Sequence, residues 1–347
     1  MADKTFFYEW WKNTPGPRNF LQEVTKTAMS GKSAVIDLRS EDLENFLRVF
    51  SDEMSLRNLS PSVEIMNTDE ESTETIFDLI TQKFALRYRR DFSIEPFQDL
   101  AEQDGIQGAI IFIPVSDADV VSDMIDDYNS VEKNTIGSIF YVARNIRPSL
   151  STKKILVNEY MSPIDSQFFA MRILQDVNLT PMQRWYSALI ATKIAMNISM
   201  SESLLEKICT PDLYFDTKNF VHRILESSNL LRMKNLQTKL NFDTFFERIT
   251  WETQIQLVLP IVERVREEVI ERNEDLLRSL LPIRDEFGNV MDKPLDMEFR
   301  NLKYHVSQGF SYDDQNLVET MYNVRNELSH LKILSLEKLE EVLKLAQ

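Results

Sequence analysis

The hydrophobic pattern of the chain changes about halfway along. In the first 160 residues, short apolar runs bounded by polar turns alternate with amphipathic stretches. Ala34 to Leu38 (AVIDL), Ser62 to Met66, Gly108 to Val115 (GAIIFIPV), Ser138 to Ala143 and Ile155 to Asn158 have the length and β-branched content of strands. Between them, Phe20 to Met29, Ser40 to Phe50, Thr68 to about Arg87 and Ala118 to Tyr128 have helical periodicity. Ser40-Glu41-Asp42 and Thr68-Asp69-Glu70-Glu71 supply capping oxygens and first-turn acids. Tyr8 to Arg18 (YEWWKNTPGPR) is an aromatic and proline-rich entry segment. Strands alternating with helices predict a mostly parallel sheet with helices on its faces.

From Ser162 the strand signals stop. Pro163 to Gln175, Thr180 to Met196, Ser201 to Ile208, Asn219 to Leu231 and Asp243 to Leu281 predict helices, the last broken or bent at Pro260. Thr180-Pro181 pairs an N-cap with proline at the first helical position. Pro282 to Asp296 is a loop holding a hairpin or linker. Beyond it, Leu317, Met321, Val324, Leu328 and Leu331 recur at helical steps, and a second series follows from Leu336. The expected fold class is α/β plus all-α. An α/β domain spans 1–160, a helical domain 161–285, and the C-terminal helices of a bundle 286–347.

Composition narrows the function. At 43% hydrophobic residues the chain is globular, and no apolar run reaches the roughly 20 residues of a membrane span. One cysteine, Cys209, excludes an internal disulfide and fits a reducing cytoplasm. Three scattered histidines and no CxxC pair predict no metal site. The net charge of −16 argues against broad nucleic-acid binding. Residues 1–160 carry 17 basic and 27 acidic side chains, a net of −10, and the remainder a net of −6. An RNA ligand would need a small local patch or another subunit.

The chemistry concentrates in Arg325-Asn326-Glu327-Leu328-Ser329-His330. RNA cleavage by its own 2′-hydroxyl needs a proton acceptor, a proton donor and a cation for the phosphate. Histidine serves the first two roles and a guanidinium the third. Five helical residues turn roughly 140°, so Arg325 and His330 do not share a face, whereas Asn326 and His330, four apart, do. A composite site needs Arg325 to reach around, or a second protomer to supply it. The bland alternative is a helix-end histidine with Arg325 paired to an acid. Arg300-Asn301-Leu302-Lys303-Tyr304-His305 repeats the spacing. We prefer 325–330, because helical periodicity flanks it on both sides. His222 lies in an ordinary amphipathic stretch.

An Arg-Asn-x-x-x-His run late in a helical domain, followed by another amphipathic helix, resembles the signature of HEPN domains. The resemblance implies an all-helical bundle, often dimeric, with metal-independent endoribonuclease activity in bacterial defence or toxin–antitoxin systems. It implies that His330 is the general acid/base, that Arg325 holds the scissile phosphate, and that Asn326 is the polar residue after the arginine.

Gly31-Lys32-Ser33 raises nucleotide binding, but a phosphate-binding loop runs from strand to GxxxxGK[ST] to helix. Here the tripeptide follows a helix and precedes a strand, and Lys26 occupies the position of the first glycine. Asp117 lies beyond Pro114 and Ser116, a loose match to a strand-end magnesium ligand. The order Trp, Pro-Gly-Pro, helix, Gly-Lys-Ser, strand is similar to the start of degenerate ATPase-like domains of bacterial defence proteins, without their active motifs. Two readings follow. One is an RNase effector of a bacterial defence or toxin-type system, acting as a homodimer on RNA with no cofactor. The other is a non-catalytic interaction or regulatory subunit of a multiprotein assembly, docking a protein partner. Neither reading involves a membrane.

Overall fold

The computed structural model describes residues 6–68, 72–86, 94–102, 106–133, 135–143, 146, 150–198, 200–284, 288 and 290–346. The chain divides into two compact units, the first Met1–Ile173 with Ser199–Lys207, the second Leu174–Ile198 with Ile208–Gln347.

The first unit is built on helices α1 (Pro15–Met29), α2 (Ser40–Leu56), α3 (Thr73–Lys83), α4 (Pro96–Glu102), α5 (Ser122–Asn129) and α6 (Pro163–Leu174). Its strands are β1 (Ala34–Asp37), β2 (Ser62–Ile65), β3 (Ala109–Val115), β4 (Ser138–Ala143) and β5 (Lys154–Ile155). They form one parallel sheet in the order β2-β3-β4-β1-β5. The expected α/β fold class is therefore observed. Alternate residues of a strand point to opposite faces. Ile111, Ile113, Ile139 and Tyr141 join a core with residues of α3, α4 and α5. On the other parity, Phe112 and Phe140 stack at 5.2 Å, and Phe46 and Phe50 of α2 meet Phe112 edge-on at 6.3 and 5.6 Å. Trp11 continues this array, 5.0 Å from Phe46.

Several local expectations are revised. The aromatic and proline-rich entry segment, to which no regular element is assigned from its pattern, is helical, with one turn at Phe6–Tyr8, a π-turn at Glu9–Asn13, and α1 beginning at Pro15. Pro15 is tolerated there because the first helical N–H needs no intrahelical partner. The N-cap of α2 is Arg39, with no side-chain cap, so the helix starts one residue earlier than a cap at Ser40 would place it. Ser72 caps α3 instead, accepting from Thr75 N at 3.1 Å, while Asp69 to Glu71 and the Arg87 end lie outside the described residues. The predicted last strand shortens to Lys154–Ile155, and Val157–Tyr160 forms a helical turn.

The second unit holds α7 (Pro181–Ile198), α8 (Thr217–Ser227), α9 (Lys239–Arg272), α10 (Glu274–Leu280), the antiparallel pair β6 (Ile283–Arg284) and β7 (Val290–Met291), α11 (Tyr312–Ser329) and α12 (Leu336–Lys344). The 34-residue α9 is its axis and packs against α7, α11 and α12. It runs through Pro260 and stops at Asn273, so of the expected break or bend at the proline the break is not made. Pro260 and Gln256 both lie on the exposed face, so water can take the carbonyl the proline leaves unbonded. Asp314 anchors the start of α11, accepting from Arg272 Nη2 at 2.6 Å and Asn273 Nδ2 at 3.0 Å.

Gly16 explains the Pro-Gly-Pro run. Its amide donates to Asp165 Oδ1 at 2.9 Å, and a Cβ there would lie 2.5 Å from Asp165 Oδ2 and 2.7 Å from the Tyr160 carbonyl. Gly16→Ala should lower stability by about 1–3 kcal/mol, the usual cost of forcing atoms into a packed site. Chemical denaturation of the purified chain checks this; a midpoint equal to wild type would show the contact to be loose.

Candidate functional site

In open parallel sheets, ligands gather outside the carboxyl ends of the strands, and phosphate binds the N-terminus of the following helix. At the end of β1 this chain places only Leu38 and Arg39 before α2. Neither is glycine, and Asp42 N bonds back to Arg39 O at 3.0 Å. Asp42, in the first turn of α2, is 3% exposed. Its Oδ1 accepts from Ser201 Oγ at 3.0 Å and from Ser203 N at 3.2 Å. Between those serines, Glu202 is fully buried. Glu202 Oε2 accepts from Trp11 Nε1 at 3.0 Å, and Oε1 from Asn45 Nδ2 at 3.1 Å.

Burial raises the carboxyls of Asp42, Glu202 and Glu206, and their mutual repulsion adds to the rise of the two glutamates. Glu202 is pushed up to about 8, so near neutral pH it holds its proton. An anion approaching the start of α2 would meet carboxyls where a phosphate cradle presents amides. No local pattern signals this cluster, because 157 residues separate Asn45 from Glu202.

Gly31-Lys32-Ser33 is structural. Gly31 closes α1 in the left-handed region at φ 63°, its amide donating to Ala28 O at 3.0 Å. Ser33 is clamped through its backbone by Asn129, whose Oδ1 accepts at 2.8 Å and whose Nδ2 donates at 2.9 Å. Lys32 is exposed. Asp117 caps its own turn, accepting from Asp119 N at 2.9 Å. No group of three or more metal-ligating side chains occurs among the described residues.

The second unit separates the other candidates. Arg325 Nη2 pairs with Glu298 Oε2 at 3.0 Å. Asn326 and His330 line one cleft of about 350 Å³ with Asn323, Glu327, Lys332 and Lys338. His330 ends α11, its amide donating to Asn326 O at 3.0 Å, and Leu331 turns the chain at φ 59°. The turn is held to α9 by Gln254, which donates to Leu334 O at 3.1 Å and accepts from Leu334 N at 2.7 Å. Lys338 pairs with Glu327 across the cleft. Arg325 is thus not brought to His330 within one chain. Arg300 stands on the short helix Phe299–Asn301, and His305 is exposed on the π-turn Leu302–Val306. His222 packs edge-on against Phe242 at 4.7 Å.

No protein-family model and no curated protein matches the chain. Among solved structures, the crystal structure of Cdc6p from Pyrobaculum aerophilum is similar at 13% identity, covering 99% of this chain and 98% of that one, with a TM-score of 0.32.

A carboxyl raised from its ordinary value stabilises the fold below that value, and the contribution is lost as pH climbs through the folded value. The contribution of Glu202 is therefore lost as pH rises through about 8. Glu202→Gln keeps a neutral side chain at every pH. It should flatten the fall in melting temperature between pH 6 and 9, while melting below wild type at pH 6, because the amide leaves one of the Trp11 and Asn45 donors without an acceptor. Parallel thermal melts test this, and identical slopes would mean that Glu202 ionises freely in the fold.

Proposed function

We propose that this protein is a non-catalytic interaction or regulatory subunit, built on an ATPase-like α/β scaffold that does not turn over nucleotide. The observation that carries this reading is the β1–α2 junction. It has two residues, no glycine, and a buried carboxylate in the first helical turn, already committed to Ser201 and Ser203. A triphosphate held there would meet the Asp42 carboxylate in the first turn of α2, in a medium that strengthens repulsion. With a net charge of −16, the chain suits a protein partner that presents basic surface.

A second reading, a HEPN-like metal-independent endoribonuclease of a defence system, draws on the cleft shared by Asn326 and His330. There His330 would move the proton, and a cation would come from Lys332 or from Arg325 of a second copy after it leaves Glu298. The pair exposed to solvent at Arg325 and Glu298 contributes little, about 1 kcal/mol or less, so leaving it costs little.

Two assays separate these readings. Phosphate release from Mg·ATP should stay at background for wild type and Lys32→Ala alike; turnover lost in Lys32→Ala would overturn the scaffold reading. Incubation with RNA and EDTA should leave the RNA intact. Cleavage by wild type that His330→Ala reduces by 100-fold or more would instead establish the nuclease, since proton transfer by a positioned side chain contributes roughly 10²–10⁴.

A further inference from the structure

The sheet of the first unit ends in an open edge. β2 is its outermost strand and pairs on one side only, with β3. In a parallel pair, alternate residues of a strand bond to the neighbour, and those between them direct N–H and C=O the other way. Ser62 N donates to Gly108 O at 2.8 Å and Met66 N to Phe112 O at 3.0 Å, which puts Ser62, Glu64 and Met66 on the β3 side. Val63 and Ile65 therefore turn two amides and two carbonyls outward, and no strand among the described residues pairs with them. Sheets usually blunt an edge with proline or charge. Pro61 precedes β2, but both outward residues are apolar.

The side chains of those two residues line a groove. Ile65 lies beside Phe112 in register, on the face that α2 covers. Phe112 is fully buried there, whereas Ile65 is 45% exposed, so the apolar face runs out beyond the cover of α2. A groove of about 640 Å³ follows this margin, lined by Val63 and Ile65 with Phe7, Tyr8, Leu47 and Arg48. Its charged groups are already partnered, Arg48 by Glu44 at 2.7 Å and Asp52 by the Tyr8 hydroxyl at 2.6 Å. On the opposite face, Glu64 accepts from Ser62 Oγ at 2.7 Å and pairs with Lys83 at 3.3 Å. Charge thus selects no ligand here. The main chain does: outward donors and acceptors in alternation, beside an apolar groove, are complemented by another extended polypeptide. A second copy of β2 fits poorly. The antiparallel register that sets Val63 opposite Ile65 of the copy also sets Glu64 directly opposite Glu64, where like charges destabilise a sheet.

We propose that the β2 edge receives an extended segment of a protein partner as a sixth strand of this five-stranded sheet. Two apolar side chains of that segment, two residues apart, enter the groove beside Val63 and Ile65, and its main chain bonds to theirs. This rests on the reading of the chain as an interaction subunit and gives that reading a docking element. The two fail separately, since the subunit reading falls to nucleotide turnover or RNA cleavage, and neither bears on peptide binding.

Fluorescence anisotropy on the full chain, with a labelled seven-residue peptide alternating valine and threonine, tests this. The peptide should saturate the chain at submillimolar concentration. N-methylation of one alternate set of its amides should weaken binding about fivefold or more, and methylation of the other set should leave it unchanged, because only one set faces β2. Val63→Pro should weaken binding by a similar factor, roughly that of one main-chain hydrogen bond. Its circular dichroism should match wild type, because the Val63 N–H lies outside the ladder, where an edge strand tolerates proline. No saturation, equal loss with both methylated sets, or no loss with either would overturn the proposal, the last marking a groove that takes side chains alone. A dimer by light scattering that Val63→Pro converts to monomer would assign the edge to a second copy and would overturn it too.

Discussion

Charge burial at the carboxyl end of β1 is the constraint on which the first unit turns. Asp42 sits where α2 begins, the point at which a helix dipole and free amides would favour an anion. The chain fills that point with its own carboxylate and closes it with residues from far along the sequence. Ser201 and Ser203 satisfy Asp42, and Trp11 and Asn45 satisfy Glu202. Unpaired, such groups would cost several kcal/mol each. With these partners the cluster instead holds together the entry segment, α2 and the 199–207 segment.

The aromatic array extends the same contacts into the sheet. Trp11 reaches Glu202 with its indole N–H and Phe46 with its ring, and Phe46 and Phe50 reach Phe112 and Phe140. An apolar body with one polar edge suits a residue that lies between a core and a buried acid. In the second unit, Gln254 and Asp314 do comparable work: each is a buried polar side chain on or against α9 that fixes an end of α11.

The central strands β1, β3 and β4 are legible because they are buried on both faces and read as continuous apolar runs. Ser138–Ala143 was placed to the residue and GAIIFIPV to within one. The long helices of the second half are legible from periodicity, but whether Pro260 breaks its helix is not, because that depends on which face it occupies. The entry helices were missed since proline and aromatics mask helical pattern there. The carboxyl cluster was illegible, as it depends on contacts between residues far apart in sequence. For the C-terminal motif, spacing correctly separated Arg325 from the face shared by Asn326 and His330. Spacing could not reveal Glu298 as the partner of Arg325, nor that Tyr304 of the repeated motif packs against Tyr322 of α11.

The most direct measurement is isothermal titration of Mg·ATP, and separately of ADP, into the full chain at pH 7. The account predicts no saturable heat at millimolar nucleotide, because the first turn of α2 is occupied by Asp42. A dissociation constant in the micromolar range, abolished by substitutions at the β1–α2 junction, would contradict it.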